Sequence, residues 1–249
     1  MGPAKPLTGI EDAVVRPEKL PAYVAGLEEL MTPLGLEASY YGHAAAGLLH
    51  VRPVLDVHSA EDLKKFRHLA NEVAALVRQF KGSLAGEHGV GMARSEFMAE
   101  QVGEPLLAVM REIKAAFDPH NLFNPGKIVP DGRFKIDADL RLGPAHALKL
   151  PFTPVLAFAA KDGSFLGNLE QCNGCGGCRK ATPTMCPTYV ATGEEFMSTR
   201  GRANAIRAAL ELRGLADSDP LQSAELEAAL SNCLSCKACT TECPSNVNM

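Results

Sequence analysis

The sequence predicts two parts of different fold class, an α+β domain over residues 1–130 and a mostly helical domain over residues 168–249. In the first part, segments rich in β-branched and aromatic residues alternate with amphipathic segments, which is typical of mixed sheets and helices. A stretch rich in proline and glycine, residues 131–167, predicts a linker. All 8 cysteines lie beyond that stretch. The two parts therefore differ in chemistry as well as in fold.

Three segments of the first part carry strand signals and three carry helix signals. GIEDAVV, ASYYGHA and LLHVRPVLDV favour strands because they are rich in β-branched and aromatic residues. The first predicted helix, PEKLPAYVAGLEELMTPLG, has Pro17 near its start and ends at Gly35. The second, SAEDLKKFRHLANEVAALVRQFKG, begins with a cap of Ser59 and Asp62. The third, EPLLAVMREIKAAF, stops before Asp118.

Composition excludes several classes of protein. A chain of 249 residues with 46% hydrophobic and 22% charged residues can bury a core. Its net charge of -4 and its lack of a basic run argue against nucleic acid as a main partner. It has no apolar run near the ~20 residues of a membrane span, and its start has no signal-peptide core. The expected compartment is the cytosol, where thiols stay reduced, with peripheral contact at the inner membrane face left open.

The cysteines form two runs of one type. Each run has a C-x2-C-x2-C triplet and then a cysteine followed by proline, after three residues in the second run and after seven, RKATPTM, in the first. Such runs hold cubane iron–sulfur clusters, and in two-cluster ferredoxins the fourth cysteine of each run binds the other cluster. We therefore predict two 4Fe-4S clusters, one on Cys172, Cys175, Cys178 and Cys243, and one on Cys186, Cys233, Cys236 and Cys239.

Two other interpretations of the cysteines are weaker. Structural zinc takes two C-x2-C pairs, and a third cysteine two residues further on is surplus to such a tetrahedral site. Disulfides are disfavoured in a reducing compartment. Clusters so intertwined would lie close enough for electron transfer.

A second candidate site lies in YYGHAAAGLLHVRP. His43 and His50 bracket the turn AAAG, so two strands joined by that turn can bring both imidazoles to one divalent metal. The segment GEHGVG adds Glu87 as a carboxylate ligand, with His88 beside it among glycines that allow close backbone approach. The alternative is that these are ordinary surface or core histidines. We interpret the remaining histidines as structural: His58, His68, His120 and His146.

Three motifs in a fixed order resemble one known family. YYGHAAAGLLHVRP, GEHGVGMAR and FDPHNLFNPGKIV, followed by the double cysteine module, resemble the C-terminal half of FAD-linked oxidases of the vanillyl-alcohol oxidase superfamily. The nearest branch is the D-lactate, glycolate and D-2-hydroxyglutarate dehydrogenase-like flavoproteins fused to an iron–sulfur domain. The resemblance covers nearly the whole chain. It implies a ferredoxin-like cap domain with an antiparallel sheet and helices.

The resemblance also implies roles for single residues. The G-H-x(6)-H motif and the glutamate of G-E-H-G bind a divalent metal, zinc or manganese, over the flavin in that family, which implies His43, His50 and Glu87 as ligands here. The histidine after that glutamate is the family's proposed base, which matches His88. The usual G-D-G-N between the metal histidines is A-A-G-L here, so those polar side chains are missing.

An arginine and a short turn motif provide further candidate site residues. Arg52 stands two residues after His50, so on a strand it points the same way and could hold a substrate carboxylate through paired hydrogen bonds. A surface arginine is the alternative. Asn124, Gly126 and Lys127 match the family's N-P-G-K motif, which approaches the flavin. A simple turn after the preceding helix is compatible with that role.

The family's FAD-binding domain lies upstream of the cap, and this chain begins inside the cap. We therefore expect a fragment or one subunit of a split enzyme, with FAD bound mainly by a domain or subunit outside this chain. The expected function is the substrate-cap and electron-transfer portion of a 2-hydroxy-acid dehydrogenase, which passes electrons from reduced flavin through two clusters to a quinone, a cytochrome or a carrier protein. The alternative is a non-catalytic iron–sulfur subunit that docks onto a separate flavoprotein.

Overall fold

The computed structural model describes residues 3–141, 143–144, 148, 150–155, 163–180, 185–212 and 220–249. The chain forms two compact units, one within Pro3–His146 and one within Ala147–Met249. The predicted fold class is confirmed, because the first unit combines an antiparallel sheet with helices and the second is mostly helical. His146 lies outside the described residues. In the described part, no helix is both long enough and apolar enough to span a bilayer.

One long strand organises the sheet of the first unit. Strand β4 pairs antiparallel with each of the other three strands. In the register of β3 against β4, Tyr41 lies opposite His50 and Ser39 lies opposite Arg52. Residues opposite one another in an antiparallel pair share a face, so these four side chains lie on one side of the sheet. The strands are β1 (Lys5–Pro6), β2 (Ala13–Val14), β3 (Ala38–His43) and β4 (Leu48–Leu55).

The helices of the first unit include the three segments predicted to be helical. Ser59 caps the second of them, since its hydroxyl accepts a hydrogen bond from the backbone N–H of Asp62. After the last helix, Asp118 accepts hydrogen bonds from the backbone N–H groups of Leu122 and Phe123, both at 2.9 Å. The helices are α1 (Leu20–Met31), α2 (Ala60–Gln79), α3 (Met98–Val102) and α4 (Glu104–Phe117).

The core of the first unit lies between α1, α2 and the sheet. Apolar side chains at helical spacing on α2, such as Leu69 and Val73, are fully buried beside Val51 of β4. Ile136 also belongs to this core, and nearby Asp137 pairs with Arg67 of α2. Both residues fall in the stretch predicted as a linker, so the packing of the first unit extends beyond residue 130.

In the described part of the second unit, helices pack around a smaller core of Leu169, Ala203, Leu210 and Val247. Asn168 is buried and joins its helix to the end of the chain, because its amide exchanges two hydrogen bonds with the backbone of Asn248. The cysteines lie mainly in the loops between helices. The helices are α5 (Phe165–Glu170), α6 (Pro187–Thr192), α7 (Thr199–Leu212), α8 (Ala224–Ser231) and α9 (Ala238–Glu242).

Candidate metal and cluster sites

The turn between β3 and β4 brings two of the predicted ligands together. Gly47 closes this turn with φ +75°, and a Cβ there would lie 1.8 Å from the backbone oxygen of Val15, so only glycine fits. The imidazole ring centroids of His43 and His50 are 6.1 Å apart. His50 is buried and His43 is exposed. One ligand is therefore fixed by the core and the other stands at the surface.

The carboxylate of Glu87 lies against both imidazoles. Its Oε1 is 3.0 Å from Nε2 of His50, and its Oε2 is 3.6 Å from Nε2 of His43. The structure thus brings the predicted histidine pair and the predicted glutamate to one place.

The backbone fixes the tautomer of His50. Nδ1 of its buried ring is 3.1 Å from the carbonyl oxygen of Glu11. A carbonyl can only accept, so Nδ1 carries the hydrogen and Nε2 of the neutral ring presents a lone pair. That lone pair faces a Glu87 oxygen, which is also an acceptor, and such a contact is favourable only with a proton or a cation between them. Two ligands that each lie about 2.1 Å from a metal are separated by about 3.0 Å at a 90° angle and by about 3.4 Å at a tetrahedral angle, so this donor pair fits a divalent cation.

Asp12 holds the loop that carries Glu87 and His88. This residue is fully buried. Its carboxylate accepts hydrogen bonds from the backbone N–H groups of Gly86 at 3.0 Å, Glu87 at 3.2 Å and His88 at 2.9 Å. Sequence reasoning missed this role because GIEDAVV signalled only a strand. The usable signal was an acidic pair inside an otherwise apolar segment.

A buried ion pair orients His88. Nη2 of Arg94 donates to both carboxylate oxygens of Glu11, at 3.1 and 3.3 Å, and Nη1 donates to the backbone oxygen of Gly89 at 2.9 Å. The Oε1 atom of Glu11 is in turn 3.3 Å from Nδ1 of His88. The His88 ring stacks on His50 with centroids 4.9 Å apart. Glu11 and Arg94, both missed by sequence reasoning, therefore set the orientation of the predicted base.

Four donor groups form the tightest group in this region. Atoms of Asp12, His50, Glu87 and His88 all lie within 4.8 Å of one another. Two of these four belong to the predicted ligand trio, and His43 joins through Glu87. Asp12 already accepts three backbone hydrogen bonds, so its oxygens are less available than the imidazole nitrogens.

Arg52 lies beside this cluster on the same face of the sheet. Its guanidinium stacks on the ring of Tyr41, 5.0 Å from the centroid. The same ring is 4.8 Å from that of His50. The Nε atom of Arg52 is buried and has no hydrogen-bond partner among the described residues. Tyr41, which sequence reasoning did not single out, thus connects the arginine to the histidines.

The N-P-G-K segment forms a turn in which Asn124 and Lys127 are exposed and Gly126 is buried. Asn124 and Gly126 have φ values of 47° and 75°, and Nζ of Lys127 donates to Oδ1 of Asn124 at 3.2 Å. The next residue, Ile128, donates its N–H to Oγ of Ser95 at 3.0 Å, which attaches the turn to the segment after Arg94. In the described part of the chain, no hydrogen bond joins this turn to the imidazoles.

The cysteines of the second unit line two separate cavities. The division follows the predicted crosswise grouping, in which each triplet is completed by the fourth cysteine of the other run. None of the eight thiols forms a disulfide, and Thr199 lines both cavities. One cavity contains Cys172, Cys175, Cys178 and Cys243, and the other contains Cys186, Cys233, Cys236 and Cys239.

Helix α7 contributes an arginine to each cavity. The backbone N–H of Arg200 donates to Sγ of Cys178 at 3.4 Å, and its guanidinium binds both oxygens of Glu195, which lowers the pKa of that carboxyl. Nη1 of Arg202 donates to Sγ of Cys186 at 3.2 Å. Sulfur ligands that accept hydrogen bonds are a regular feature of iron–sulfur sites.

An α+β unit joined to a helical unit with two four-cysteine cavities is typical of an iron–sulfur protein. In agreement with this class, residues 168–247 match the model of the 4Fe-4S dicluster domain. The chain belongs to the family of FAD-linked oxidases, since residues 1–128 match the model of the C-terminal domain of that family. The resemblance inferred from the motifs is confirmed.

Curated relatives agree with this family. The chain is similar to D-2-hydroxyglutarate dehydrogenase of Escherichia coli K12, with 34% identity over 100% of this chain and 27% of the relative. It has the same identity and the same coverage with the Pseudomonas putida enzyme of that name. It is 28% identical to glycolate oxidase subunit GlcD of Bacillus subtilis over 54% of this chain and 29% of that subunit. The chain thus spans about a quarter of the length of these relatives.

Proposed function

We propose that the chain is the substrate-cap and electron-transfer portion of an FAD- and iron–sulfur-dependent 2-hydroxy-acid dehydrogenase of the D-lactate, glycolate or D-2-hydroxyglutarate type. One observation carries the proposal. Nε2 of His50 lies 3.0 Å from the Glu87 carboxylate, with Arg52 on the same face of the sheet. This is the combination that a metal-bound hydroxy acid needs.

The proposed metal ligands are His43, His50 and Glu87, with zinc or manganese as the cation. When bound, the metal supplies Lewis acidity that lowers the pKa of a coordinated hydroxyl. The protein would fix the position of the metal. The backbone carbonyl of Glu11 holds the ring of His50, and the carboxylate of Asp12 holds the loop of Glu87.

Arg52 and His88 would act directly on the substrate. The guanidinium of Arg52 would hold the substrate carboxylate, since the Tyr41 ring fixes its plane. His88 would accept the proton of the substrate hydroxyl at Nε2. Its Nδ1 faces Glu11, so Nε2 is the nitrogen directed towards Glu87, 3.3 Å away. A positioned base of this kind contributes typically ~10²–10⁴-fold to the rate.

The proposed FAD-binding domain or subunit would dock on α4. The solvent side of this helix carries Leu106, Val109, Ile113 and Phe117, which lie on one helical face and are all exposed, Phe117 by 86%. Contiguous exposed apolar surface of this kind marks an interaction site. The turn with Asn124, Gly126 and Lys127 follows this helix and would approach the flavin, whose hydride chemistry belongs to the cofactor. Electrons would then pass through the two clusters to a quinone, a cytochrome or a carrier protein.

The test is divalent metal binding by the full chain with its clusters in place. We expect the chain to bind about one Mn²⁺, detected by loss of the free-ion electron paramagnetic resonance signal. His50→Ala and Glu87→Gln should each weaken binding at least about tenfold, because three protein ligands leave none to spare. Arg52→Ala is the matched control, since it changes the same face without removing a ligand.

Turnover with a complementing FAD-binding domain separates the roles further. Arg52→Ala should raise KM or lower kcat/KM for a 2-hydroxy acid with metal content unchanged. His50→Ala should abolish turnover together with metal binding. A chain that binds no Mn²⁺ would instead support the non-catalytic iron–sulfur subunit.

A further inference from the structure

Arg202 is a buried cation that has no carboxylate partner among the described residues. The residue is 2% exposed and lines the cavity of Cys186, Cys233, Cys236 and Cys239. Its Nε donates to the carbonyl of Ala229 at 2.8 Å, and its Nη1 donates to Sγ of Cys186 at 3.2 Å. Its Nη2 is buried and has no hydrogen-bond partner in the described part of the chain. No described Asp or Glu forms an ion pair with it.

A buried guanidinium in this setting needs an anion. Arginine stays protonated in proteins, and an uncompensated buried charge is strongly destabilising. A cubane cluster with four thiolate ligands carries a net negative charge, which grows by one when the cluster accepts an electron. The cavity that Arg202 lines is where such a charge would lie.

The other cavity has a different electrostatic environment. Its arginine, Arg200, directs its guanidinium to Glu195, and Glu195 is also paired with Arg179 at 2.8 Å. These three side chains are partly open to solvent, with 46% exposure for Glu195. Water and the carboxylate therefore screen the charge of Arg200, whereas no carboxylate in the described part of the chain screens that of the buried Arg202.

We propose that Arg202 raises the reduction potential of the cluster on Cys186, Cys233, Cys236 and Cys239 above that of its neighbour. The inference rests on the electron-transfer part of the proposed function. Hydrogen bonds to cluster sulfurs and nearby charge set such potentials. In the step itself, one electron leaves the neighbouring cluster, which is oxidised, and reduces the cluster beside Arg202. No proton moves, because the guanidinium is charged before and after.

The first test compares the potentials of the two clusters in the wild-type chain and uses two cysteine variants to assign them. The full chain is reconstituted anaerobically and titrated with dithionite while electron paramagnetic resonance follows each cluster. Cys236→Ser and Cys175→Ser change the signal of one triplet each, and so assign the two waves. We expect the wave at higher potential to be the one altered by Cys236→Ser. If Cys175→Ser alters it instead, the proposal is wrong.

The second test changes the charge. Arg202→Met should lower the reduced-to-oxidised ratio of that cluster about tenfold at the wild-type midpoint, equivalent to about 59 mV for a one-electron couple. Arg202→Lys should retain most of the potential, and Arg200→Gln should leave this wave in place. A change below twofold in Arg202→Met would overturn the proposal. If Arg202→Met fails to assemble its cluster, the assignment of the two wild-type waves still tests whether this cluster has the higher potential. Neither measurement of the cluster potentials depends on Mn²⁺ binding at His50 and Glu87. A failure of the proposed dehydrogenase function would therefore be detected separately, by the Mn²⁺ binding experiment.

Discussion

Among the described residues, each unit of the chain buries one arginine, and the charges of the two are balanced differently. Arg94 in the first unit pairs with Glu11, a carboxylate of the same unit. Arg202 in the second unit contacts a cysteine sulfur and a carbonyl, with no carboxylate among the described residues. The first unit thus balances its buried charge with its own side chains. The second unit leaves that balance to what its cysteines hold, so we expect its fold to depend on its cofactors.

Removing the clusters should have the largest effect. Chelation of iron in air should raise amide hydrogen exchange in α7 and α8 to rates near those of an unfolded chain, because metal-binding free energy in such sites is folding free energy. Exchange in α2 should change less than about twofold, since its core of Leu69 and Val73 contains no thiol. Retained protection in α7 after complete loss of iron would show that the fold of the second unit does not depend on its clusters.

Breaking the internal pair should have the next largest effect. Arg94→Met leaves Glu11 buried without its partner and should lower the free energy of unfolding by about 3–5 kcal/mol. Chemical denaturation followed by circular dichroism measures the change. Arg78→Met is the control, because the exposed pair of Arg78 with Glu100 should contribute about 1 kcal/mol or less. Adding Glu11→Gln to Arg94→Met should recover part of the loss, and no recovery would argue against charge balance as the cause.

A smaller effect should appear at the proposed metal ligands. Asp12→Asn removes one of the two acceptor oxygens that hold Gly86, Glu87 and His88. Loss of a group that orients ligands typically lowers metal affinity about 10–100-fold, and Mn²⁺ titration measures it. Asp56→Asn is the control, since Asp56 also accepts a backbone N–H, that of His58, but away from these ligands. Equal Mn²⁺ affinity in both variants would contradict the role of Asp12.

The smallest effect concerns Asp137, which lies after the residues that match the FAD-linked oxidase family. The Arg67 guanidinium lowers the pKa of Asp137 from its ordinary value of 3.8. A carboxyl whose pKa is lower in the folded state stabilises the fold above the ordinary value, and that contribution is lost as pH falls through the lowered pKa. Because both groups are partly exposed, we expect about 1 kcal/mol or less. Asp137→Asn should remove this part of the pH dependence of unfolding, and an unchanged acid profile would exclude it.

Sequence reasoning grouped candidate ligands that are close along the chain and missed contacts between residues that are far apart. The spacing of the cysteines was enough to group them as the two cavities do, because each triplet is held within seven residues. The short turn of the β3–β4 hairpin explains why His43 and His50 could be paired in advance. The interval from His50 to Glu87 carries no such constraint, so Glu87 was added for its carboxylate in a glycine-rich segment and for its family motif, and not for its spacing.

The missed residues share a physical reason. Glu11 and Asp12 act on groups more than 70 positions away along the chain, and no local pattern encodes such a contact. Arg202 stands between small residues on an amphipathic helix, where an arginine usually faces solvent. Ile136 lies in a segment whose glycines and prolines signalled a linker, yet its side chain fills the core of the first unit. In each case tertiary packing, which the sequence pattern does not contain, determines the role.

Thr199 lines both cysteine cavities, so at that point a single residue separates them. A hydride delivers two electrons at once, whereas each cluster accepts one. Two clusters this close together can each accept one of the two electrons before the final electron carrier removes either. The second unit would then act as a buffer that uncouples the pace of substrate oxidation from the pace of single-electron removal. Uptake of two reducing equivalents per chain in the dithionite titration would measure the capacity of that buffer.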